Sequence, residues 1–360
     1  MGRITFPIGP QHPALKEPES FKITAEGECV VEVDIRLGYV HRSIEAACCH
    51  RNFVQSMYVC ERICGICSHS HNNSFARGAE VLLGLEVPPR AKYIRTIVAE
   101  LERIHSHLLW LGVAGHEIGF ETLFMLVWRD RETVLDLQEM ISGNRNHYGM
   151  STIGGVKFDL TTEMVDKIRA SLDILAERVA YYKHVATTEV TLLKRVENVG
   201  VLSEQLARDL GACGPTLRAS NVAYDVRAAI PYDAYPDVEF EVSTSDLCDV
   251  LGRTIVRVLE MAQAINIIRQ LLDKLPEGDI QVRARPRVPE GEVVIRTEAP
   301  RGELFYYLRS DGSDKPARVK VRTPTLANWP ATIAMLEGAY VADVPISIAS
   351  IDPCMSCTDR

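Results

Sequence analysis

Four cysteines in two C-x-x-C pairs carry the clearest chemical signal in this 360-residue chain. The first pair lies in Arg62-Ile63-Cys64-Gly65-Ile66-Cys67, followed by His71. The second lies in Asp352-Pro353-Cys354-Met355-Ser356-Cys357, close to Arg360. Each spacing lets one turn of backbone aim two sulfurs at one soft metal, so the two pairs make a tetrathiolate set. On spacing alone a structural zinc is the favoured reading, with an iron–sulfur cluster behind it. Two features speak against zinc. Zinc ribbons place their pairs about 15–20 residues apart, whereas here a long helical region separates them. A clip at the far end would also constrain little beyond the tail, so a site joining both ends of the chain reads as an active centre.

Composition narrows the setting. The chain is 46% hydrophobic and 24% charged, an ordinary globular profile. Its net charge of -8 argues against nucleic-acid binding. No apolar run approaches the roughly 18 residues of a transmembrane helix, and the start Met1-Gly2-Arg3-Ile4-Thr5-Phe6-Pro7 lacks the pattern of a signal peptide. Ten cysteines without such a signal point to a reducing compartment. The six outside the two pairs, Cys29, Cys48, Cys49, Cys60, Cys213 and Cys248, are expected as ordinary buried thiols.

The elements that must position the pairs follow from periodicity. Residues 1–18 read as irregular because of Gly9-Pro10 and Pro13. Phe21, Ile23 and Ala25, then Val31, Val33 and Ile35, alternate as a hairpin. Helical patterns cover 39–61, 68–83, 90–111, 121–141, 161–197 and 244–275. In 90–111 the stripe is Ile94, Ile97, Val98, Leu101, Ile104, Leu108 and Leu111; in 244–275 it includes Leu247 and Leu251. A Gly- and Pro-rich loop is expected over 211–237, short strands near 293–295, 304–308 and 318–321, and a short helix over 329–338. The expected fold is α+β and mostly α: a long-helix bundle with an N-terminal β-hairpin and a small C-terminal β region. It is read as one domain over 1–360, divided into a β segment (1–37), a helical core (38–285) and a β region with the metal-binding tail (286–360).

Both cysteine motifs resemble the signature motifs of nickel–iron hydrogenase large subunits. Gly9-Pro10-Gln11-His12-Pro13-Ala14, Gly38-Tyr39-Val40-His41-Arg42-Ser43-Ile44-Glu45 and Gly211-Ala212-Cys213-Gly214-Pro215-Thr216-Leu217-Arg218-Ala219-Ser220 resemble the related 49-kDa subunit of respiratory complex I. Together they resemble the energy-converting (Ech-type or CO-induced) hydrogenases over essentially the whole chain.

That resemblance implies a nickel–iron centre with CO and cyanide on the iron. Cys64 and Cys354 would be terminal nickel ligands; Cys67 and Cys357 would bridge the metals. Hydrogen would be split or formed heterolytically, with Cys354 and a nearby base handling the proton. Glu17 is the expected relay carboxylate, with Glu19 and Glu26 as rivals. His71 would hydrogen-bond a cysteine sulfur, Arg301 would face a cyanide as a planar fork, and Thr325 would donate to the other. Pro324 and Asp352 would complete the surroundings of the metals.

Two departures stand out. His105-Ser106-His107 has Ser where many members carry Asp. The chain ends in Arg360 where many uptake enzymes have a magnesium-binding His, which speaks against magnesium although Glu45 occupies the partner position. The resemblance further implies a small subunit carrying an iron–sulfur cluster, a further iron–sulfur subunit, ferredoxin, and integral-membrane ion-translocating subunits. This chain would be peripheral, on the cytoplasmic face of the membrane. The competing readings are a complex I-like quinone-reductase or scaffold subunit without a metal centre, against which the four cysteines speak because the complex I relative has lost them, and a zinc-stapled structural protein.

Overall fold

Alternation and turn chemistry build the first sheet of this computed structural model, which describes residues 2–360. Phe21, Ile23 and Ala25 of β2 (Ser20–Glu26) point inward, as do Val30 and Val33 of β3 (Cys29–Arg36), whereas Val31, expected inward, is exposed where the β2–β3 register shifts at Thr24/Ala25. The two strands turn at Gly27, whose φ of 64° suits glycine. The start of the chain differs from expectation: Arg3–Ile8 is a strand, β1, paired antiparallel with β2. Pro7 does not prevent this, because β1 lies at the sheet edge, where a missing N–H costs no ladder bond.

The expected helix over 39–61 is two helices, α1 (Ile44–Cys49) and α2 (Phe53–Glu61). Asn52 restarts the chain through a capping box with Gln55. Next come α3 (Ser68–Leu83), α4 (Pro89–Glu117) and α5 (Glu121–Ser142). The whole apolar stripe of α4 is buried. So are Glu100, Glu102, Arg103, His105 and His107 on its other faces, so α4 is a central helix covered all round.

A short hairpin, β4 (Ser151–Thr152) with β5 (Gly155–Val156), precedes α6 (Thr162–Thr188). The expected helix over 161–197 breaks at Glu189. Thr187 and Thr188 turn their hydroxyls back onto Lys183 and His184 carbonyls, and Glu189 then caps α7 (Val190–Val196). The 211–237 stretch is mostly loop but holds α9 (Pro215–Arg218) and α10 (Val226–Ala229), just after α8 (Glu204–Asp209). The next long helix, α11 (Val250–Asp273), starts later than expected. Asp249 caps it and Leu247 is 45% exposed outside it. Helix α4 packs on α5 and α11, and α11 on α6, forming the bundle.

The C-terminal sheet is a meander of β6 (Gly291–Ala299), β7 (Gly302–Ser310) and β8 (Pro316–Arg322), longer strands than expected. Helix α12 (Pro324–Leu336) uses Pro324 in its first turn. Helices α13 (Val344–Ala349) and α14 (Met355–Asp359) follow. The fold is therefore α+β and mostly α.

Candidate metal centre

The two cysteine pairs, 290 positions apart in sequence, meet. Cys67 and Cys357 sulfurs are 3.4 Å apart, and Cys64 and Cys354 sulfurs 3.6 Å. All four cysteines are buried. Helix starts place them: Cys67 precedes α3, and Cys354 caps α14, its sulfur accepting from the Cys357 N–H at 3.4 Å. Arg42 staples the halves together, donating to the carbonyls of Arg62 and Ile63 on one side and Ser356 on the other. Asp359 locks the tail by accepting from the N–H groups of Gly38 and Val40.

The electrostatics fit a soft cation. Hydrogen bonds from Cys354, Cys357 and Cys67 hold the Cys64 thiol well below its usual range. The Cys357 thiol is pushed well above it by Cys354, Cys64 and Cys67 and by burial. Four sulfurs this close cannot all ionise without a cation among them. The ligand atoms of Cys64, Cys354 and Cys357 fall within 4.8 Å of one another, as do those of Cys67, His71 and Cys357.

His71 sits one turn into α3. Its Nε2 is 3.5 Å from Cys357 Sγ and its Nδ1 2.7 Å from the Tyr306 hydroxyl. Burial lowers its pKa to about 4, so the ring is neutral. Arg301, at the turn between β6 and β7, donates through Nε to the Asp352 carbonyl at 2.8 Å and through one amino group to Asp352 Oδ1 at 3.0 Å. Its other amino group is buried without a partner, and Arg301 lines a small void with Cys67, His71, Pro324, Thr325 and Cys357. An unpartnered buried guanidinium group beside the sulfurs is what a polar diatomic ligand on a metal would satisfy. Thr325 Oγ1 accepts from the Cys354 N–H at 3.3 Å, which leaves its hydroxyl proton to donate.

Glu17 reaches the site from the β1–β2 connection. One carboxylate oxygen accepts from the N–H groups of Met355 at 2.6 Å and Ser356 at 3.0 Å; the other takes the Ser356 hydroxyl. Glu17, Cys64, Cys354, Arg301, Trp110 and Trp128 line one cavity of about 320 Å³. Glu19 is buried, with both oxygens unpartnered, and its pKa is raised to about 8 by desolvation and by Asp359 and Glu17. Glu26 is exposed and pairs with Arg3.

Glu45 is not arranged for magnesium. Its carboxylate takes Arg360 Nε at 2.8 Å, the Val321 N–H at 3.0 Å and Lys320 at 3.0 Å, so cations of the chain itself occupy the position. Among the remaining cysteines, Cys29 is exposed and Cys49 and Cys248 are partly so, against expectation. Cys29 sits at the solvent side of β3, and Cys248 precedes the late start of α11. Cys48 and Cys60 are buried with sulfurs 3.5 Å apart.

Tyr306, Tyr148 and Glu102 near the site, and the stapling by Arg42, were not evident from the amino-acid sequence. Arg42 stands inside the Gly38–Glu45 motif, so it was the one within reach. Tyr306 stands in an apolar strand, Tyr148 in a polar loop and Glu102 among other charges on a helix, and only the folded contact reveals them.

Known proteins resemble this chain over essentially its whole length. A family described as "Respiratory-chain NADH dehydrogenase, 49 Kd subunit" matches residues 117–287 and 281–360, and one described as "Nickel-dependent hydrogenase" matches 42–113. The chain is 42% identical to the carbon monoxide-induced hydrogenase of Rhodospirillum rubrum over 100% of both chains. It is 43% identical to the membrane-bound hydrogenase subunit alpha of Pyrococcus furiosus, over 99% of this chain and 87% of that one. It is 38% identical to NADH-quinone oxidoreductase subunit 4 of Thermus thermophilus, over 99% and 94%. A solved structure of the membrane-bound sulfane sulfur reductase, an archaeal respiratory membrane complex, matches with a TM-score of 0.94 at 32% identity, covering 99% and 98%. The chain belongs to the family of energy-converting nickel–iron hydrogenase large subunits, related to the 49-kDa subunit of respiratory complex I.

Proposed function

We propose that this chain is the catalytic large subunit of a membrane-associated energy-converting hydrogenase, which reversibly reduces protons to dihydrogen with electrons from ferredoxin. The observation that carries the reading is the convergence of all four cysteine sulfurs in one buried cluster.

Cys64, Cys67, Cys354 and Cys357 would together hold the nickel–iron centre through their sulfurs. When bound, a nickel–iron centre with CO and cyanide on the iron supplies heterolytic cleavage and formation of dihydrogen. The chain's own residues orient that centre and move the proton. His71 supports the Cys357 sulfur. Arg301, held by Asp352, keeps one amino group free and lines the void beside Cys67 and Cys357, where Thr325 offers a hydroxyl. Cys354 takes or gives the proton at sulfur, and Glu17, which shares its cavity, passes it on. Pro324 shapes the void without donating. Magnesium has no place in this account.

Electrons would arrive from a small subunit with an iron–sulfur cluster, itself fed through a further iron–sulfur subunit. No helix among the described residues is long and apolar enough to cross a membrane. Attachment to the cytoplasmic face would then come from integral-membrane, ion-translocating partners. The test is hydrogen evolution by the isolated complex supplied with reduced ferredoxin. Sustained evolution supports the reading. Quinone reduction with no hydrogen would favour the complex I-like alternative, for which the apolar cavity beside Cys64 would serve as the binding site.

A further inference from the structure

His105, in the His105-Ser106-His107 stretch of α4, is linked through Tyr148 to the metal-binding turn. His107 faces away: its Nε2 is 2.8 Å from Glu260. His105 Nε2 is 2.5 Å from an amino group of Arg131 on α5, and its Nδ1 is 3.2 Å from the Tyr148 hydroxyl. The Tyr148 hydroxyl in turn donates to the Ile66 carbonyl, inside the first C-x-x-C. The Ile66 N–H donates to Cys64 Sγ at 3.3 Å. Arg131, His105 and Tyr148 are all buried.

The direction of these bonds is fixed by chemistry. A guanidinium has only donors, so His105 Nε2 must accept. A neutral imidazole then carries its proton on Nδ1 and donates it to Tyr148. Burial, with Arg131 and Arg301 nearby, lowers the His105 pKa well below its usual value, so the ring stays neutral. Tyr148, having accepted, donates onward. Glu102 lies beside the same hydroxyl and accepts from the N–H groups of His69 and Ser70 and the Ser70 hydroxyl, fixing the start of α3 just after Cys67. Such a chain is poorly suited to carry protons, because a guanidinium that does not release its own closes the far end. The cluster does not simply satisfy itself, since Arg131 Nε is buried without a partner, yet the proton at each of the three links runs toward the cysteine turn.

We propose that Arg131, His105 and Tyr148 form a directional hydrogen-bond chain that holds the Cys64–Cys67 turn and so sets how strongly the Cys64 sulfur donates to its metal. They are positioning residues: none touches a sulfur, and they act through Ile66. Hydrogen bonds to a ligating sulfur draw electron density from it, so loosening this turn makes Cys64 a stronger donor. The inference rests on the nickel–iron reading only for its effect on the metal.

The test uses Tyr148→Phe and Arg131→Met in the intact complex. Two properties are measured: the infrared CO and cyanide bands, and amide hydrogen exchange of the 62–70 segment. Tyr148→Phe keeps nickel and iron, moves the CO band to lower wavenumber, and speeds exchange in that segment by about tenfold, the scale of one lost buried hydrogen bond. Arg131→Met moves both in the same direction, and the double variant shifts the band no further than Tyr148→Phe alone. Bands and exchange unchanged in Tyr148→Phe, or shifts that simply add in the double variant, would overturn the chain. If the unaltered complex shows no CO or cyanide bands, the functional reading fails. Exchange then decides separately whether the chain holds the turn.

Discussion

His71 bridges Cys357 and Tyr306, with Nε2 3.5 Å from the sulfur and Nδ1 2.7 Å from the hydroxyl. A neutral ring has one proton for these two contacts. Tyr306 can donate to Nδ1, which leaves the Nε2 proton for the sulfur. Tyr306 thereby selects the tautomer. His71→Ala should lower hydrogen turnover by about 10–100-fold, the range seen for groups that orient metal ligands. Tyr306→Phe should cost less, because the ring remains and only the tautomer preference is lost. Assays of both variants at matched nickel content check this; a larger loss in Tyr306→Phe would reverse the assigned order.

Glu17 clamps the start of α14 through two backbone N–H groups. Glutamine keeps a carbonyl oxygen for that clamp but cannot take up and release a proton as a carboxylate does. Glu17→Gln should abolish hydrogen turnover while nickel and iron stay bound. Undiminished turnover would remove Glu17 from the relay and turn attention to Glu19.

Glu19 should give the protein a pH-dependent weakness. Its carboxyl goes from an ordinary 4.5 to about 8 on folding, mainly by desolvation. Folding therefore favours the protonated form. Its contribution is intact below about 4.5 and is lost progressively as pH rises towards 8. Glu19→Gln should then raise the unfolding midpoint relative to the parent more at pH 8 than at pH 5. Equal effects at the two values would show that the carboxyl is not held neutral.

Gly214 and Gly211 share a positive φ, 66° and 67°, but differ in their surroundings. A Cβ at Gly214 would lie 2.3 Å from the Arg301 carbonyl oxygen and 2.4 Å from Gly302 Cα, whereas one at Gly211 meets nothing within 4 Å. Gly211→Ala should cost about 1 kcal/mol from backbone strain alone. Gly214→Ala should cost about 3 kcal/mol or more, because backbone cannot move aside as a side chain can. Denaturant unfolding of the two variants measures the difference, to which the ψ of -149° at Gly214, a backbone conformation open essentially to glycine alone, also contributes. Equal costs would mean that the turn carrying Arg301 yields freely.

Much of this architecture was legible from the chain. The stripe from Ile94 to Leu111 has one period and no breaker, and it is buried throughout. Boundaries set by single side chains were harder to see. Asn52 and Glu189 restart helices that the apolar pattern alone would run together, because capping is a local hydrogen bond that periodicity does not register. Strand β1 was masked by Gly9-Pro10 and Pro13, whose breaking effect begins only after it ends at Ile8. At the site, the cysteines, His71, Arg301 and Thr325 were reachable because they stand in recognisable runs. Tyr306, Tyr148 and Glu102 were not, because their roles exist only when β7, the loop after α5, and α4 come together around α3.

The central claim is that the four converging cysteines hold nickel and iron rather than zinc. The most direct measurement is metal analysis of the purified complex together with its infrared spectrum. Equal nickel and iron at this site, with bands from CO and cyanide that are lost when Cys64 or Cys357 is replaced by Ala, is the predicted result. Zinc alone, or no metal, with no such bands would contradict it.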